Sequence, residues 1–168
     1  MPSSIAFFKF VGTIGLGLLT GVSYTLSTQS LPSLLTLPSA KPAAYTLQQT
    51  ARLATLHIRT LSALSTLSLG LAFVLSPSRI RHPYLLWTSL VAASAGGLNL
   101  LMDKDMGKRV VKGEGDSDWE ELRLSEGEVN GEQVEKKARD QQYIEFVRTG
   151  VSGLGFVMGV VGIWGDGA

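Results

Sequence analysis

The sequence predicts an all-α membrane protein with four transmembrane helices and an acidic, largely disordered loop between the third helix and the fourth. Apolar stretches without charged residues recur four times, at residues 10–31, 60–78, 83–102 and 149–165. Charged residues make up only 17% of the chain, and thirteen of the 14 acidic residues and nine of the 15 basic residues fall within residues 103–148. A soluble domain carries about 25% charged residues, so this segregation favours a membrane protein.

The first apolar stretch, residues 10–31, follows Lys9 and stays free of charge until Lys41. A helix rises about 1.5 Å per residue, so roughly 17–25 residues cross a hydrocarbon core of about 30 Å. A secretory signal peptide is the alternative, but the apolar run is long and no clear A-x-A cleavage site follows it. The prolines after this span predict an irregular link; they are Pro32, Pro38 and Pro42.

A polar stripe leads into the second stretch, residues 60–78. Spacings of three and four residues place its members on one face of a helix that runs from water into the membrane; they are Gln48, Arg52, Thr55, Arg59, Ser62 and Thr66. The stretch itself is rich in Ser and Thr. Their hydroxyls bond to carbonyls of the preceding turn and are therefore tolerated in lipid.

The third and fourth stretches complete a division of the chain into three parts. Residues 1–102 form a three-helix membrane region, residues 103–148 an acidic hydrophilic loop that ends in a helix, and residues 149–168 a fourth transmembrane helix with a short tail. An apolar stripe predicts the last helix; it comprises Ile144, Val147, Val151, Leu154, Met158 and Val161. Buried helices of a soluble protein are the alternative, but those usually keep a polar face. Charged residues flank the stretches and none lies deep within one, which disfavours an ion or proton pathway.

Glycines at four-residue spacing predict close helix packing and self-association. Such spacing lets two helix backbones approach each other. Gly17 pairs with Gly21, Gly155 pairs with Gly159, and Gly97 ends a series of small residues in the third span. The general abundance of glycine in membrane helices is the other explanation of this pattern.

The basic residues predict how the protein is oriented. Four spans place both termini on one side, together with Lys9, Arg79 and Arg81. The nine basic residues of the long loop lie on the other side, and the positive-inside rule therefore places this loop in the cytosol.

The sequence contains no recognisable catalytic or metal-binding motif. It has no cysteines and two histidines, and it lacks P-loop, GxSxG and HExxH patterns. We therefore expect a protein that is not an enzyme, needs no cofactor or metal and binds no nucleic acid. Its first partner is the lipid bilayer.

One tryptophan stands in the acidic loop, within the stretch DSDWEELRLSE. The quartet from Trp119 to Leu122, preceded by Asp116 and Asp118, suits a peptide that adds a strand to a sheet edge and fills two pockets. Ser117 lies in an acidic context favourable to phosphorylation, which would add about −1.5 to −2 charges. A short capped helix that packs Trp119 and Leu122 on the membrane surface is the alternative.

Residues 10–40 read FVGTIGLGLLTGVSYTLSTQSLPSLLTLPSA. In this stretch and in its four-span layout, the chain resembles the fungal family of autophagy-related protein thirty-three and its Scm4-like relatives. The resemblance is most specific over roughly residues 1–100; beyond them it rests on the acidic loop and the Gly-rich last span. It implies a multi-pass protein of the mitochondrial outer membrane that promotes mitophagy, the selective autophagy of mitochondria. It implies no catalytic or cofactor-binding residues.

Two hypotheses of function follow. In the first, the loop recruits a ubiquitin-like autophagy protein or another autophagy adaptor through Trp119 and Leu122. In the second, the chain is a structural or scaffold protein of the outer membrane that acts on membrane organisation or complex assembly. Mitophagy that persists without the loop, while complexes or mitochondrial morphology change, would favour the second.

Overall fold

A computed structural model of the chain describes residues 3–77, 82–102 and 131–165, and every regular element in these ranges is a helix. The helices are α1 (Ser3–Thr25), which continues through a π-helical turn (Leu26–Ser30) into α2 (Leu31–Leu34), then α3 (Ala40–Leu75), α4 (Tyr84–Met102) and α5 (Gly131–Gly165). The predicted all-α class is thus confirmed for these residues. The acidic stretch at 103–130 lies outside them.

The first predicted span lies in α1 and in the π-helical turn that follows it. In this turn the N–H of Leu31 donates to the carbonyl of Leu26, five residues back. Pro32 provides a physical reason for the wider winding. In a regular α-helix its ring would clash with the carbonyl of Thr28, four residues earlier, and Thr28 belongs to the π-helical turn.

α3 is one continuous helix of 36 residues, about 54 Å long, and therefore longer than a hydrocarbon core of about 30 Å. Pro42 is tolerated because it lies in the first turn, where backbone N–H groups have no partner within the helix. On the predicted polar stripe, Arg52 and Arg59 are exposed. Ser62, further along, is buried and donates to the carbonyl of Ala92 at 2.6 Å. The stripe therefore ends in the contact between α3 and α4.

α5 joins the helix predicted at the end of the loop to the fourth predicted span without a break. It has 35 residues and carries Glu132 in its first turn, where a negative charge interacts favourably with the helix dipole. Glu135 and Arg139 form an exposed ion pair one turn apart, with 2.8 Å between Oε1 and Nη2. The amino-terminal part of α5 is thus a polar helix that continues directly into apolar sequence.

The four long helices form a ring in which α1 and α4 each pack against both α3 and α5. Neighbouring helices run antiparallel. Successive residues of α1 meet successively earlier residues of α5, because Thr13 lies against Gly159 and Thr20 lies against Ser152. Consequently, the amino end of α1 and the carboxyl end of α5 lie at one end of the bundle, and the carboxyl end of α4 lies at the other.

Three stretches of helix are long and apolar enough to cross a membrane among the described residues, namely Ser4–Leu34, Ala40–Leu75 and Gly131–Gly165. α4 contributes a shorter apolar segment, Tyr84–Leu98, within a helix of 19 residues. Length and composition thus single out three of the four predicted spans.

The bundle buries small hydroxyl-bearing side chains and exposes large apolar ones. Ser65, Thr88 and Ser152 are fully buried, whereas Leu67 and Leu154 are 65% and 67% exposed. The apolar stripe that predicts α5 turns outward from Leu154 onward, and the buried face of that helix carries small and polar residues instead. A soluble protein rarely exposes apolar surface on this scale.

The predicted packing glycines occupy two kinds of position. A Cβ added to Gly155 would lie 2.9 Å from Val91 Cγ1, one added to Gly159 would lie 2.8 Å from Thr13 Oγ1, and one added to Gly17 would lie 3.0 Å from the ring of Phe156. A Cβ added to Gly21 or Gly97 would meet no atom within 4 Å. The first three therefore lie at close helix contacts within the chain. The role of all five in self-association stays a prediction.

Replacing Gly155 by Leu should destabilise the bundle, because the new side chain would overlap Val91 and Leu16. Overpacking of this kind costs about 1–3 kcal/mol. Gly150→Leu is the matched control, since it lies on the same helix and a Cβ there meets nothing within 4 Å. Thermal unfolding in detergent, followed by tryptophan fluorescence, should give a lower midpoint for Gly155→Leu than for Gly150→Leu. Equal midpoints would contradict the close packing.

Candidate functional site

The predicted partner-binding residues all lie outside the described ranges; they are Asp116, Ser117, Asp118, Trp119 and Leu122. The helix ends on either side of their segment are described. α4 ends at Met102 and α5 begins at Gly131. Because α4 and α5 are antiparallel neighbours, the segment between them is attached at both its ends to the same end of the bundle, which we call the loop end.

A buried ion pair lies inside the bundle near the loop end. Glu145 and Arg148 are both 0% exposed and form an ion pair between Glu145 Oε1 and Arg148 Nη1. Their spacing of three residues puts them on one face of α5. Arg148 Nε also donates to the carbonyl of Ala95 on α4 at 2.9 Å, and Gln141 Nε2 donates to Glu145 Oε1 at 2.9 Å. Hydrogen bonds of this kind are what make buried charges tolerable.

Hydroxyl and amide groups extend this buried polar layer to α1. Ser152 Oγ donates to the carbonyl of Arg148 at 2.7 Å, and Thr20 Oγ1 lies 3.1 Å from Ser152 Oγ. Nearer the loop end, Gln142 Nε2 donates to the carbonyl of Ser27 at 2.9 Å, within the π-helical turn. The layer thus connects α5 to α4 on one side and to α1 on the other.

Hydropathy predicts Arg148 at the border of a span, with no charged side chain deep inside one. The structure buries Arg148 and Glu145 in the bundle, and at the opposite end it buries Lys9, whose Nζ lies 5.7 Å from the centre of the Tyr84 ring. The sequence of α5 does contain a pattern that indicates this buried face. It is a second set of residues at alternating spacings of four and three. Its members are Gln141, Glu145, Arg148, Ser152, Gly155 and Gly159.

The chemistry of the buried layer is that of a structural element. The carboxylate and the guanidinium neutralise each other, and Ser152 bonds to the backbone of its own helix. Within the ranges that the structure describes, no group of three or more His, Asp or Glu residues is arranged to hold a metal ion.

An open groove with a volume of about 580 Å³ lies between α1 and α3. Gly17 and Gly21 line it, together with Leu53 and His57. His57 Nδ1 lies 2.7 Å from the carbonyl of Leu53, so this ring nitrogen is engaged with the histidine's own helix. Of these two predicted packing glycines, Gly21 therefore faces open space on the outside of the bundle, whereas Gly17 also lies against the ring of Phe156.

Comparison with known proteins gives one consistent result. Residues 1–145 match the family model described as Autophagy-related protein 33. The chain is also similar to the Autophagy-related protein 33 of Gibberella zeae, with 34% identity over 185 aligned positions that cover 99% of this chain and 93% of the relative. No solved structure matches the chain significantly.

Substitution Arg148→Met should strongly destabilise the protein, because it leaves the buried charge of Glu145 without its partner. Loss of one member of a buried pair costs about 3–5 kcal/mol, whereas replacement of both by apolar residues is often neutral. The double variant Glu145→Leu/Arg148→Met should therefore recover most of the loss in thermal stability.

The exposed pair on the same helix provides the control. Arg139→Met breaks the Glu135–Arg139 pair, and exposed pairs of this spacing contribute about 0.3–0.5 kcal/mol. Equal losses of stability in Arg148→Met and Arg139→Met would show that the buried pair is not a structural element.

Proposed function

The chain belongs to the family of Autophagy-related protein 33, and on this premise we propose that it is a non-enzymatic, multi-pass protein of the mitochondrial outer membrane that promotes mitophagy. The observation that carries the autophagy role is the 34% identity to a protein of that name over 99% of the chain. The outer-membrane location, mitophagy and recruitment through the acidic loop go beyond what this identity shows and are proposed.

The distribution of exposed side chains supports a membrane-embedded bundle. Tyr143 and Trp164, both on α5, are 62% and 82% exposed. They are 21 positions apart in the sequence, which corresponds to about 30 Å along the helix and matches a hydrocarbon core with aromatic residues at its two interfaces. α4, at about 28 Å, is long enough to cross the same layer and would be the fourth span.

The placement of the helix ends supports the acidic segment as the recruiting element. In the proposed topology, residues 103–130 lie on the side opposite both termini, and their basic residues favour the cytosol. There Trp119 and Leu122 would fill two pockets of an ubiquitin-like autophagy protein, or of another adaptor, by adding a strand to its sheet. The acidic residues beside them would speed encounter with a basic rim.

One feature of the fold favours the alternative, a scaffold protein. Beyond Tyr143 at the loop end, a small apolar cluster joins α2, α3 and α5; it comprises Leu31, Leu34, Leu47, Val134 and Ala138. This cluster would hold a rigid platform above the membrane surface, to which other membrane proteins could bind. Under this function the effect on autophagy is indirect.

The variant Trp119→Ala/Leu122→Ala in the full chain should abolish most of the protein's contribution to mitophagy, because both pocket-filling side chains are lost. Delivery of a mitochondrial reporter to the lytic compartment measures this contribution. Leu124→Ala/Val129→Ala, in the same segment, is the matched control and should keep it. Equal mitophagy in the two variants would contradict recruitment through this quartet.

Deletion of residues 113–130 separates the two functions, because it ends before α5 begins at Gly131. Recruitment predicts that mitophagy is lost while the protein stays in the membrane. Normal mitophagy with altered partner complexes or mitochondrial morphology would instead support the scaffold function.

A further inference from the structure

We propose that Arg52 and Arg59 on α3, one on either side of Thr55, form a binding site for the phosphate headgroup of an anionic phospholipid at the loop end of the bundle. The proposal rests on the membrane placement proposed above, but not on the role in autophagy. It starts from two exposed arginines that have no carboxylate partner among the residues the structure describes.

The three side chains share one face of α3. Their spacings of three and four residues bring Thr55 between the two arginines on the helix surface. Arg52 and Arg59 are exposed and Thr55 is half-buried. Thr55 Oγ1 donates its hydrogen to the carbonyl of Ala51 at 2.8 Å and has no second hydrogen for a phosphate. The two guanidinium groups are therefore the donors for a ligand.

The depth of this face follows from contacts across the bundle. Ser62 on α3 binds the carbonyl of Ala92, and Arg148 on α5 binds the carbonyl of Ala95, about one turn further along α4. α3 runs antiparallel to α4, so one turn back from Ser62 brings Arg59 to the depth of Arg148.

Arg148 lies five residues from Tyr143, or about 8 Å inside the boundary that this aromatic side chain marks. Arg59 is therefore inside the hydrocarbon layer. Arg52 is seven residues, or about 10 Å, nearer to water and lies in the headgroup region. Thr55, between them, is close to the boundary itself.

This position favours a counter-charge beside the two guanidinium groups. A guanidinium at membrane depth is costly unless it reaches the interface or an anion. Residues 1–102 contain no acidic residue, and within the described ranges neither Arg52 nor Arg59 forms an ion pair, in contrast to Arg139 and Arg148. If Arg59 extended toward water and Arg52 bent toward the membrane, their guanidinium groups would converge near Thr55.

A lipid phosphate is the anion that is present at this depth. Its oxygens match the planar fork of an arginine, which binds phosphate with two hydrogen bonds. Two guanidinium groups carry two positive charges, so a lipid with net negative charge should bind more strongly than a zwitterionic one. Lipids of the first kind are abundant in cytoplasmic leaflets, where the proposed topology places the loop end.

Thermal unfolding of the purified full chain in a neutral detergent tests the site. Phosphatidylglycerol should raise the unfolding midpoint more than phosphatidylcholine with the same acyl chains, because a ligand that binds only the folded state stabilises it. Arg52→Gln/Arg59→Gln should lose more than half of this difference. Arg52→Lys/Arg59→Lys, which keeps both charges, should retain more of it, and Arg139→Gln, a surface arginine on α5, should retain all of it.

Three results would overturn the proposal: an equal effect of the two lipids on the wild-type protein, an undiminished lipid difference in Arg52→Gln/Arg59→Gln, or an equal stabilisation by inorganic phosphate alone. If Arg52→Gln/Arg59→Gln does not fold, the Arg139→Gln variant provides the test. The proposal would be overturned if Arg139→Gln lost the whole difference between the effects of the two lipids. A chain that stays monodisperse without detergent would contradict the membrane placement itself. A chain that needs detergent but does not discriminate between the lipids would contradict only the site.

Discussion

A helix bundle in hydrocarbon has to satisfy its polar groups internally, because no water is available to them. This constraint accounts for the hydrogen-bonded polar layer inside the bundle, and the hydrocarbon accounts for the large apolar side chains on its outside. The Glu145–Arg148 pair is its strongest expression, since two full charges are held at 0% exposure by each other, by Gln141 and by the carbonyl of Ala95. In lipid there is no hydrophobic driving force that brings leucine side chains of two helices together. Small residues and hydroxyl groups therefore form the helix contacts instead.

The same constraint sets the architecture around that pair. Arg148 connects α5 to α4, and Thr20 connects α1 to Ser152 one turn further along α5. The register of three helices is therefore fixed by hydrogen bonds as well as by packing. A fixed register sets how the carboxyl end of α4 and the amino end of α5 lie relative to each other, and the acidic segment is attached to these two ends. In the proposed function the bundle is an anchor, and the acidic segment would make the contact with soluble partners.

Much of the fold could be predicted from hydropathy, because each apolar stretch has a length that a membrane imposes. The periodicity of the polar stripe from Gln48 to Thr66 predicts the continuous course of α3, and the resemblance to the autophagy-related protein 33 family is confirmed by the family match. The likeness to Scm4-like proteins stays a prediction.

The burial of Glu145 and Arg148 could not be predicted by the same means, because a charged residue at the edge of an apolar stretch is indistinguishable from an interfacial one until the neighbouring helix is placed. For the same reason, the sequence does not show which of two faces of α5 packs inside the bundle, the face with the apolar stripe or the face with the glycines. Leu154 and Gly155 belong to opposite faces, and only the packing shows that the glycine face is inside. The partner-binding prediction at Trp119 and Leu122 falls in residues outside the described ranges and stays a prediction.

The central claim is that lipid covers the exposed apolar surface of the bundle while the loop end meets the cytosol. The chain lacks cysteine, so single cysteines can be introduced at Leu67, Leu154 and Lys136, all of which are exposed. Labelling of intact mitochondria with a membrane-impermeant maleimide should modify Lys136→Cys readily and should modify Leu67→Cys and Leu154→Cys only after detergent is added. Equal labelling of all three in intact mitochondria would contradict the account.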